Sequence, residues 1–294
     1  MTTTEQAPGR PRDEPAERMA GYTGYLTRLA AQRAAGALQA VLPSGRTPRD
    51  LAILCVLAEG PVSQASLGSL LEVNRTVMIS VIDELEAAGL VRRQRDQEDR
   101  RRYALRITEA GVVALERLKE SAGREDRAFA AAAGQAGAQR LTQLLRQIVP
   151  ELSRAVPEWL AGASWFLLDH ATGRLRRQRE LAMRAVGLEP RCVGMLVALD
   201  STQPCTQERL AERMGVTGPT IVPAVDELHS AGLILRDRNP LDRRAHVLRL
   251  TPGGEEYLGA ALTAEDSAQR ELAAALGPAE TAELNALLMA VLLG

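Results

Sequence analysis

An internal repeat constrains this chain more than any other feature. Residues 83–111 read DELEAAGLVRRQRDQEDRRRYALRITEAG, and residues 226–254 read DELHSAGLILRDRNPLDRRAHVLRLTPGG. Asp83 aligns with Asp226 and Gly111 with Gly254, a constant offset of 143 residues across a turn, a charged tip and a terminal Thr. Upstream, TPRDLAILCVLAEGPVSQASLGSLLEV matches EPRCVGMLVALDSTQPCTQERLAERMGV more weakly, with one inserted residue near Gln203. A gap that small belongs in a turn. Chance does not place so many features at one spacing, so the chain is a duplication.

One copy can be read into elements. Gly21 to Val41 carries Tyr25, Leu26, Leu29, Ala37, Leu38 and Val41 at helical spacing and is stopped by Pro43 and Gly45. Pro48 to Ala58 forms a second apolar helix that Gly60 and Pro61 end, and Ser63 caps a third through Leu71. Asn74 opens a fourth helix that runs to about Ala88 and ends at Gly89, which completes a helix-turn-helix. LVRRQRD, the tip DQEDRR and YALRIT then predict two strands of a β-wing. Thr108 caps a long fifth helix from Glu109 to about Ala133, and its counterpart Thr251 precedes Pro252, suited to a first helical position. A sixth helix closes each copy on an apolar stripe, Leu141, Leu144, Leu145, Ile148 and Leu152 in one and Leu284, Leu287, Leu288, Val291 and Leu292 in the other.

Composition agrees with a mainly helical protein: 46% of the 294 residues are hydrophobic and only 3% aromatic, so cores of Leu, Ala, Val and Ile are expected. The expected fold is mainly α with small β-wings, as two winged helix-turn-helix units. Residues 1–17 are polar and Pro-rich and are expected to be a disordered tail. Unit one is assigned to 18–153 and unit two to 154–294, joined through PELSRAVP between Pro150 and Pro157.

A net charge of −1 gives no global attraction to nucleic acid, so any such contact must come from local basic clusters. Enzymatic function is not expected, with three histidines (His170, His229, His246) and no GxSxG, phosphate-loop or HExxH motif; no catalytic residue, metal or cofactor is assigned. Cys55, Cys192 and Cys205 lack metal-ligand spacing and read as small buried hydrophobes in a reducing cytosol, with a redox role open at Cys192 or Cys205. Neither a membrane span nor an apolar signal core is seen, which predicts a cytoplasmic protein.

The segments DELEAAGLVRRQRDQEDRRRYALRITEAG and DELHSAGLILRDRNPLDRRAHVLRLTPGG each resemble the recognition-helix, wing and fifth-helix region of MarR family regulators. The resemblance implies a DNA-binding transcriptional regulator, often a repressor, whose first, fifth and sixth helices form a dimerisation-type region. It also implies a fourth helix in the major groove, a wing in the minor groove, and release of DNA by a small aromatic or lipophilic effector. The family normally has one unit per chain, so this chain is expected to be a monomeric pseudo-dimer on a pseudo-palindromic, asymmetric operator.

On the fourth helix of unit one, Met78, Val81, Ile82 and Leu85 form a core stripe, and Arg75, Thr76, Ile79 and Ser80 face the other way. Arg75 can bond guanine or phosphate, Thr76 and Ser80 can reach either, and Ile79 can pack on a thymine methyl; an ordinary solvated face is the plainer reading. In unit two Gly218, Pro219, Val222 and Pro223 stand on that face, leaving Thr217 and Thr220, and Pro223 should bend the helix or delay its start. The wings add Arg92, Arg93, Arg95, Arg100, Arg101 and Arg102, then Arg236, Arg238, Arg243 and Arg244. With the wing tips taken as the resemblance implies, the expected DNA-binding set is Asn74, Arg75, Thr76, Ser80, Arg100, Arg101, Thr217, Thr220, Arg243 and Arg244, with Asp99 and Asp242 as wing-bracing acids. Tyr22, Tyr25, Trp165, Phe166 and His170 are candidates for an effector pocket, although aromatics at helical spacing are commonly core. The alternative function is a winged-helix protein-interaction module or anti-repressor, suggested by the weakly polar face of unit two.

Overall fold

The repeat carries directly into secondary structure. The computed structural model describes Met19 and residues 21–95, 103–185, 190–238 and 246–294, the side chains of 190–192 apart. The first copy runs α1 (Thr23–Val41), α2 (Pro48–Glu59), β1 (Val62–Ser63), α3 (Gln64–Leu70), α4 (Arg75–Ala87), β2 (Val91–Arg95), β3 (Tyr103–Ile107), α5 (Glu109–Ala131) and α6 (Gly134–Ile148). Two helical turns, α7 (Leu152–Ala155) and α8 (Glu158–Gly162), lead into the second copy. It comprises α9 (Ser164–Ala185), α10 (Pro190–Asp200), β4 (Cys205–Thr206), α11 (Gln207–Met214), α12 (Gly218–Ser230), β5 (Ile234–Arg238), β6 (His246–Leu250), α13 (Pro252–Leu276) and α14 (Pro278–Leu293). From β1 to the start of α5, every element begins 143 residues before its counterpart, while α2 and α10 begin 142 apart, on the far side of the insertion near Gln203. The expected mainly α fold with small β-wings is what the chain adopts.

Each wing sheet has three strands rather than the expected two. The orders are β1-β3-β2 and β4-β6-β5, all antiparallel, with Val91 opposite Ile107 and Ile234 opposite Leu250. The additional strands are two residues long, too short for an alternating pattern, and the side chains of Ser63 and Thr206 within them also cap the helices that follow.

The described residues pack as two compact bodies, one of Thr23–Arg174 with Leu276–Gly294 and the other of Leu175–Ala275 with Met19, Gly21 and Tyr22. In the first body the core is built from such fully buried residues as Leu51, Leu54, Met78, Ile82, Leu85 and Leu105. The final helix of the second copy belongs to this body too. There α14 packs on α1 and α6, burying Leu284, Leu288, Val291 and Leu292, with Leu287 half-buried. Polar contacts fix its position: Thr23 Oγ1 donates to Asn285 Oδ1 at 2.7 Å, Arg33 Nη1 donates to the Leu292 carbonyl at 2.6 Å, and Arg140 donates to Glu283 Oε2 at 2.8 Å. The segment read as a linker is itself ordered as α7 and α8 and buries Leu152, Val156 and Leu160, so it is a packed connection rather than a free tether.

In the second body Leu196, Leu199, Leu210, Ile221, Val225 and Leu228 form the corresponding core. Helix α12 starts at Gly218, in register with Arg75 of α4, so Pro223 neither delays nor interrupts it. Its missing N–H costs one bond, to the Pro219 carbonyl, near the start of the helix.

A joint between the fourth helix and the fifth recurs in both bodies. Gly89 and Gly232 adopt φ of 71° and 70°, and the following amides, Leu90 N and Leu233 N, return to Leu85 O and Leu228 O, closing each helix in a Schellman turn. The Thr108 hydroxyl donates to Gly89 O at 2.7 Å and accepts from Gly111 N at 3.0 Å; Thr251 does the same with Gly232 O and Gly254 N. A Cβ at Gly111 would lie 2.1 Å from Leu90 O, and one at Gly254 would lie 2.0 Å from Leu233 O, so only glycine permits this approach. Gly111→Ala is therefore expected to cost about 2–3 kcal/mol of stability. Gly36→Ala, exposed within α1 and with no atom within 4 Å of the added Cβ, should stabilise by about 0.5–1 kcal/mol. Urea unfolding of the two variants checks the pair, and a tolerated Gly111→Ala would contradict the joint.

Candidate nucleic-acid interface

The helix-turn-helix of the first body is closed by short local bonds. Ser63 Oγ accepts from Ser66 N at 3.0 Å and Asn74 Oδ1 accepts from Val77 N at 3.0 Å, so both helices have side-chain N-caps. Val73 N donates back to Gly68 O at 2.9 Å, and the chain turns by 115° between α3 and α4. The turn places Glu72 at φ 52°, where the second copy has Gly215 at φ 67°.

With that geometry α4 presents two faces. Met78, Ile82 and Leu85 are buried and Val81 is half-buried, while Arg75, Thr76, Ile79 and Ser80 are all exposed. The predicted division of the helix is the observed one. Ser80 Oγ donates to Glu84 Oε1 at 3.2 Å, and the Asn74 side chain is occupied by its capping bond. The open strip thus offers one guanidinium at the first helical residue, two hydroxyls and one branched aliphatic.

On α12 the same stripe is exposed but its chemistry differs. Thr217 and Thr220 hydrogen-bond each other through their hydroxyls at 2.8 Å, and Gly218, Pro219, Val222 and Pro223 are exposed. Here the strip is short and mostly apolar.

One element of the wings escaped sequence reasoning. Arg93 of β2 binds Asp83 and Glu86 of α4 through its guanidinium, and its backbone N donates to Glu86 Oε1 at 3.0 Å. Arg236 of β5 likewise binds Asp226 of α12. These arginines, grouped with the basic wing residues by charge alone, fasten each wing to its fourth helix. The repeat did carry the signal, since both arginine and acid recur at the 143-residue offset. Arg92, Arg95 and Arg238 are exposed on the strands. The wing tips, with Asp99, Arg100, Arg101, Arg102, Asp242, Arg243 and Arg244, lie outside the described residues, as does the expected tail at 1–17.

Of the aromatics expected at an effector site, Trp165, Phe166 and His170 pack on one another. Tyr22 Oη donates to Asp266 at 2.6 Å, and Tyr25 stacks with Arg28 at 5.1 Å. Trp165, Phe166 and His170 are buried, with ring centroids 5.5 Å apart for the first pair and 4.4 Å for the second. Trp165 lines a narrow crevice with Leu38, Asp126 and Phe129, and among the described residues its buried Nε1 has no hydrogen-bond partner. Asp126 of α5 meets the start of α9, accepting from Trp165 N at 3.2 Å and from Ser164 Oγ at 3.4 Å. Burial pushes the Asp126 carboxyl above its usual range, and the bonds to Ser164 and Trp165 offset this only in part. Cys55 and Cys205 are buried free thiols, and burial pushes Cys55 up to about 12, which makes it an inert hydrophobe; Cys192 has no described side chain. Among the described residues no cluster of His, Cys, Asp and Glu could hold a metal, and no single helix is long and apolar enough to cross a membrane.

Two winged helix-turn-helix copies in one chain define a tandem winged-helix protein. Residues 44–102 and, separately, residues 193–246 match models of the MarR family. The matches fall one in each copy, so each copy is similar to that family over its winged helix-turn-helix. It is 36% identical over 105 residues to a Thauera aromatica protein named as a transcriptional regulatory protein for the hcr operon, covering 35% of this chain and 63% of that one. Among solved structures, the repressor CouR bound to a 23-mer DNA duplex is 29% identical, covering 42% of this chain and 88% of that one, with a TM-score of 0.39. PcaV of Streptomyces coelicolor with its natural ligand is 25% identical, covering 47% of this chain and 98% of that one, with a TM-score of 0.42.

The Asp126 carboxyl gives this region a defined pH response. Its pKa is higher in the folded chain than the unfolded value of 3.8, so its charge weakens folding at neutral pH, and that penalty fades as the pH falls through the folded pKa. Asp126→Asn should raise the unfolding temperature at pH 7, and the gain should shrink as the pH falls toward the unfolded value of 3.8. Calorimetry over that range checks this, and a lower melting temperature for the variant at pH 7 would contradict it.

Proposed function

We propose that the chain is a sequence-specific, double-stranded DNA-binding transcriptional regulator of repressor type, acting in the cytoplasm as a single-chain pseudo-dimer. The observation that carries this reading is the exposed strip of Arg75, Thr76, Ile79 and Ser80 on a helix whose opposite face is locked into the core. A recognition helix needs that division, because its inner face must be immobile for its outer face to address base edges. Arg75, at the start of α4, is the residue best suited to bidentate bonding of guanine or to phosphate, with Thr76 and Ser80 beside it. Arg100, Arg101, Arg243 and Arg244 at the wing tips would enter the minor groove, braced by Asp99 and Asp242.

The pseudo-dimer reading is supported by α14 of the second copy packing on α1 and α6 of the first, the role a second subunit's helix would otherwise fill. The operator is then pseudo-palindromic but asymmetric, since α12 brings only Thr217 and Thr220 where α4 brings an arginine. The name of the Thauera relative points to the same class of function. The reading extends to a small aromatic or lipophilic effector, for which Tyr22, Tyr25, Trp165, Phe166 and His170 are the candidate contacts. A protein-interaction role is the second reading, favoured by the apolar strip of Pro219, Val222 and Pro223 on α12.

Fluorescence anisotropy of the full chain on duplexes from its own upstream region, at varied salt, separates the two readings. Affinity should fall steeply as salt rises. Arg75→Ala should weaken binding about 10- to 100-fold, and Thr220→Ala much less. Absence of duplex binding at low ionic strength would leave the protein-interaction reading.

A further inference from the structure

The recognition helices of the two copies have diverged on the face that water reaches. At the 143-residue offset, Arg75, Thr76 and Ser80 of α4 correspond to Gly218, Pro219 and Pro223 of α12. Within that strip the apolar position keeps its character. Ile79 is 40% exposed and Val222, its counterpart, is 39% exposed. Among the exposed large apolar side chains of the described residues, this is the one pair that the offset superposes; Tyr103, for comparison, falls on His246, and Leu235 on Arg92.

Neither local structure nor packing explains the pair. A branched aliphatic is a weaker helix former than Ala, Lys or Glu, and leaving two-fifths of it in water forgoes the gain of burying it. Ile79 is the fifth residue of α4 and Val222 the fifth of α12, one turn beyond the first helical residue and on the same exposed face. In a helix lying in the major groove, the N-terminal residues are those that meet base edges. That groove presents a single apolar group, the C5-methyl of thymine.

We infer that Ile79 and Val222 each pack on the 5-methyl group of a thymine, so that the two operator half-sites share one T·A pair at the same place and differ around it. The inference rests on the DNA-binding reading above and extends it. It also gives the second copy a base-reading role for which hydrogen-bonding side chains are not needed. Arg75 adds selectivity in the first half-site only, whereas the methyl contact is common to both.

Duplexes are selected with the full chain from a random-sequence thymine-containing pool, and the winner is remade with deoxyuridine at one thymine at a time. Deoxyuridine pairs as thymine does but lacks the methyl group. Each half-site should contain one thymine whose replacement weakens binding about three- to fivefold, the effect of burying one methyl. Ile79→Ala should weaken binding similarly and abolish that penalty in one half-site only, Val222→Ala should do so in the other, and Ile79→Val should retain the penalty. If duplexes are selected but no deoxyuridine substitution changes affinity, or the penalties persist in both alanine variants, the methyl contact is wrong and DNA binding stands. If no duplex is enriched at low ionic strength, DNA binding itself is overturned and the methyl contact with it.

Discussion

A strongly apolar helix needs partners that keep it from water, and the last helix of this chain finds them in the first copy. Leu284, Leu288, Val291 and Leu292 of α14 are buried against α1 and α6 in one body, each worth about 1.5–3 kcal/mol relative to exposure. The hydrogen bonds from Thr23 and Arg33 and the Arg140–Glu283 ion pair set its register. In a two-chain dimer such an interface would depend on protein concentration. Here the partner is covalently attached, so its effective concentration is fixed by the chain itself. The ordering of α7 and α8 shortens the free length further.

Around that body the repeated parts are the ones that make a recognition helix rigid. The Schellman turn at Gly89 or Gly232, the threonine hydroxyl that spans the joint, and the glycine that allows contact with Leu90 or Leu233 all recur. So does the arginine that ties a wing strand to the fourth helix. What differs is the outward strip. Rigidity has been kept in both copies while the chemistry presented by α4 and α12 has separated, which is the pattern expected if both helices still dock but read unequal sites.

Much of this was legible in the primary structure because it is periodic or local. The helix-turn-helix, the wing strands and the caps at Ser63, Asn74 and Thr108 follow from spacing and from side-chain chemistry within a few residues. So did the division of α4 into Met78, Ile82 and Leu85 inside and Arg75, Thr76 and Ser80 outside. The contacts that were not legible join residues distant in sequence. Nothing near Asp126 signals that it receives the first amides of α9, and nothing near α14 names α1 as its neighbour. Arg93 looked like one more basic wing residue because charge alone does not reveal a partner ten residues away across a turn. PELSRAVP read as a tether because its two prolines mask the short helical turns between and after them. Divergence of the halves also hid Val222, whose interest appears only once its exposure is set beside that of Ile79.

The central claim is that one chain carries both halves of the reading unit. Native mass spectrometry of the full chain with a selected operator duplex, at nanomolar protein, tests it directly. The account predicts a complex of one chain per duplex and a free protein that is monomeric. A complex that forms only with two chains per duplex would contradict it.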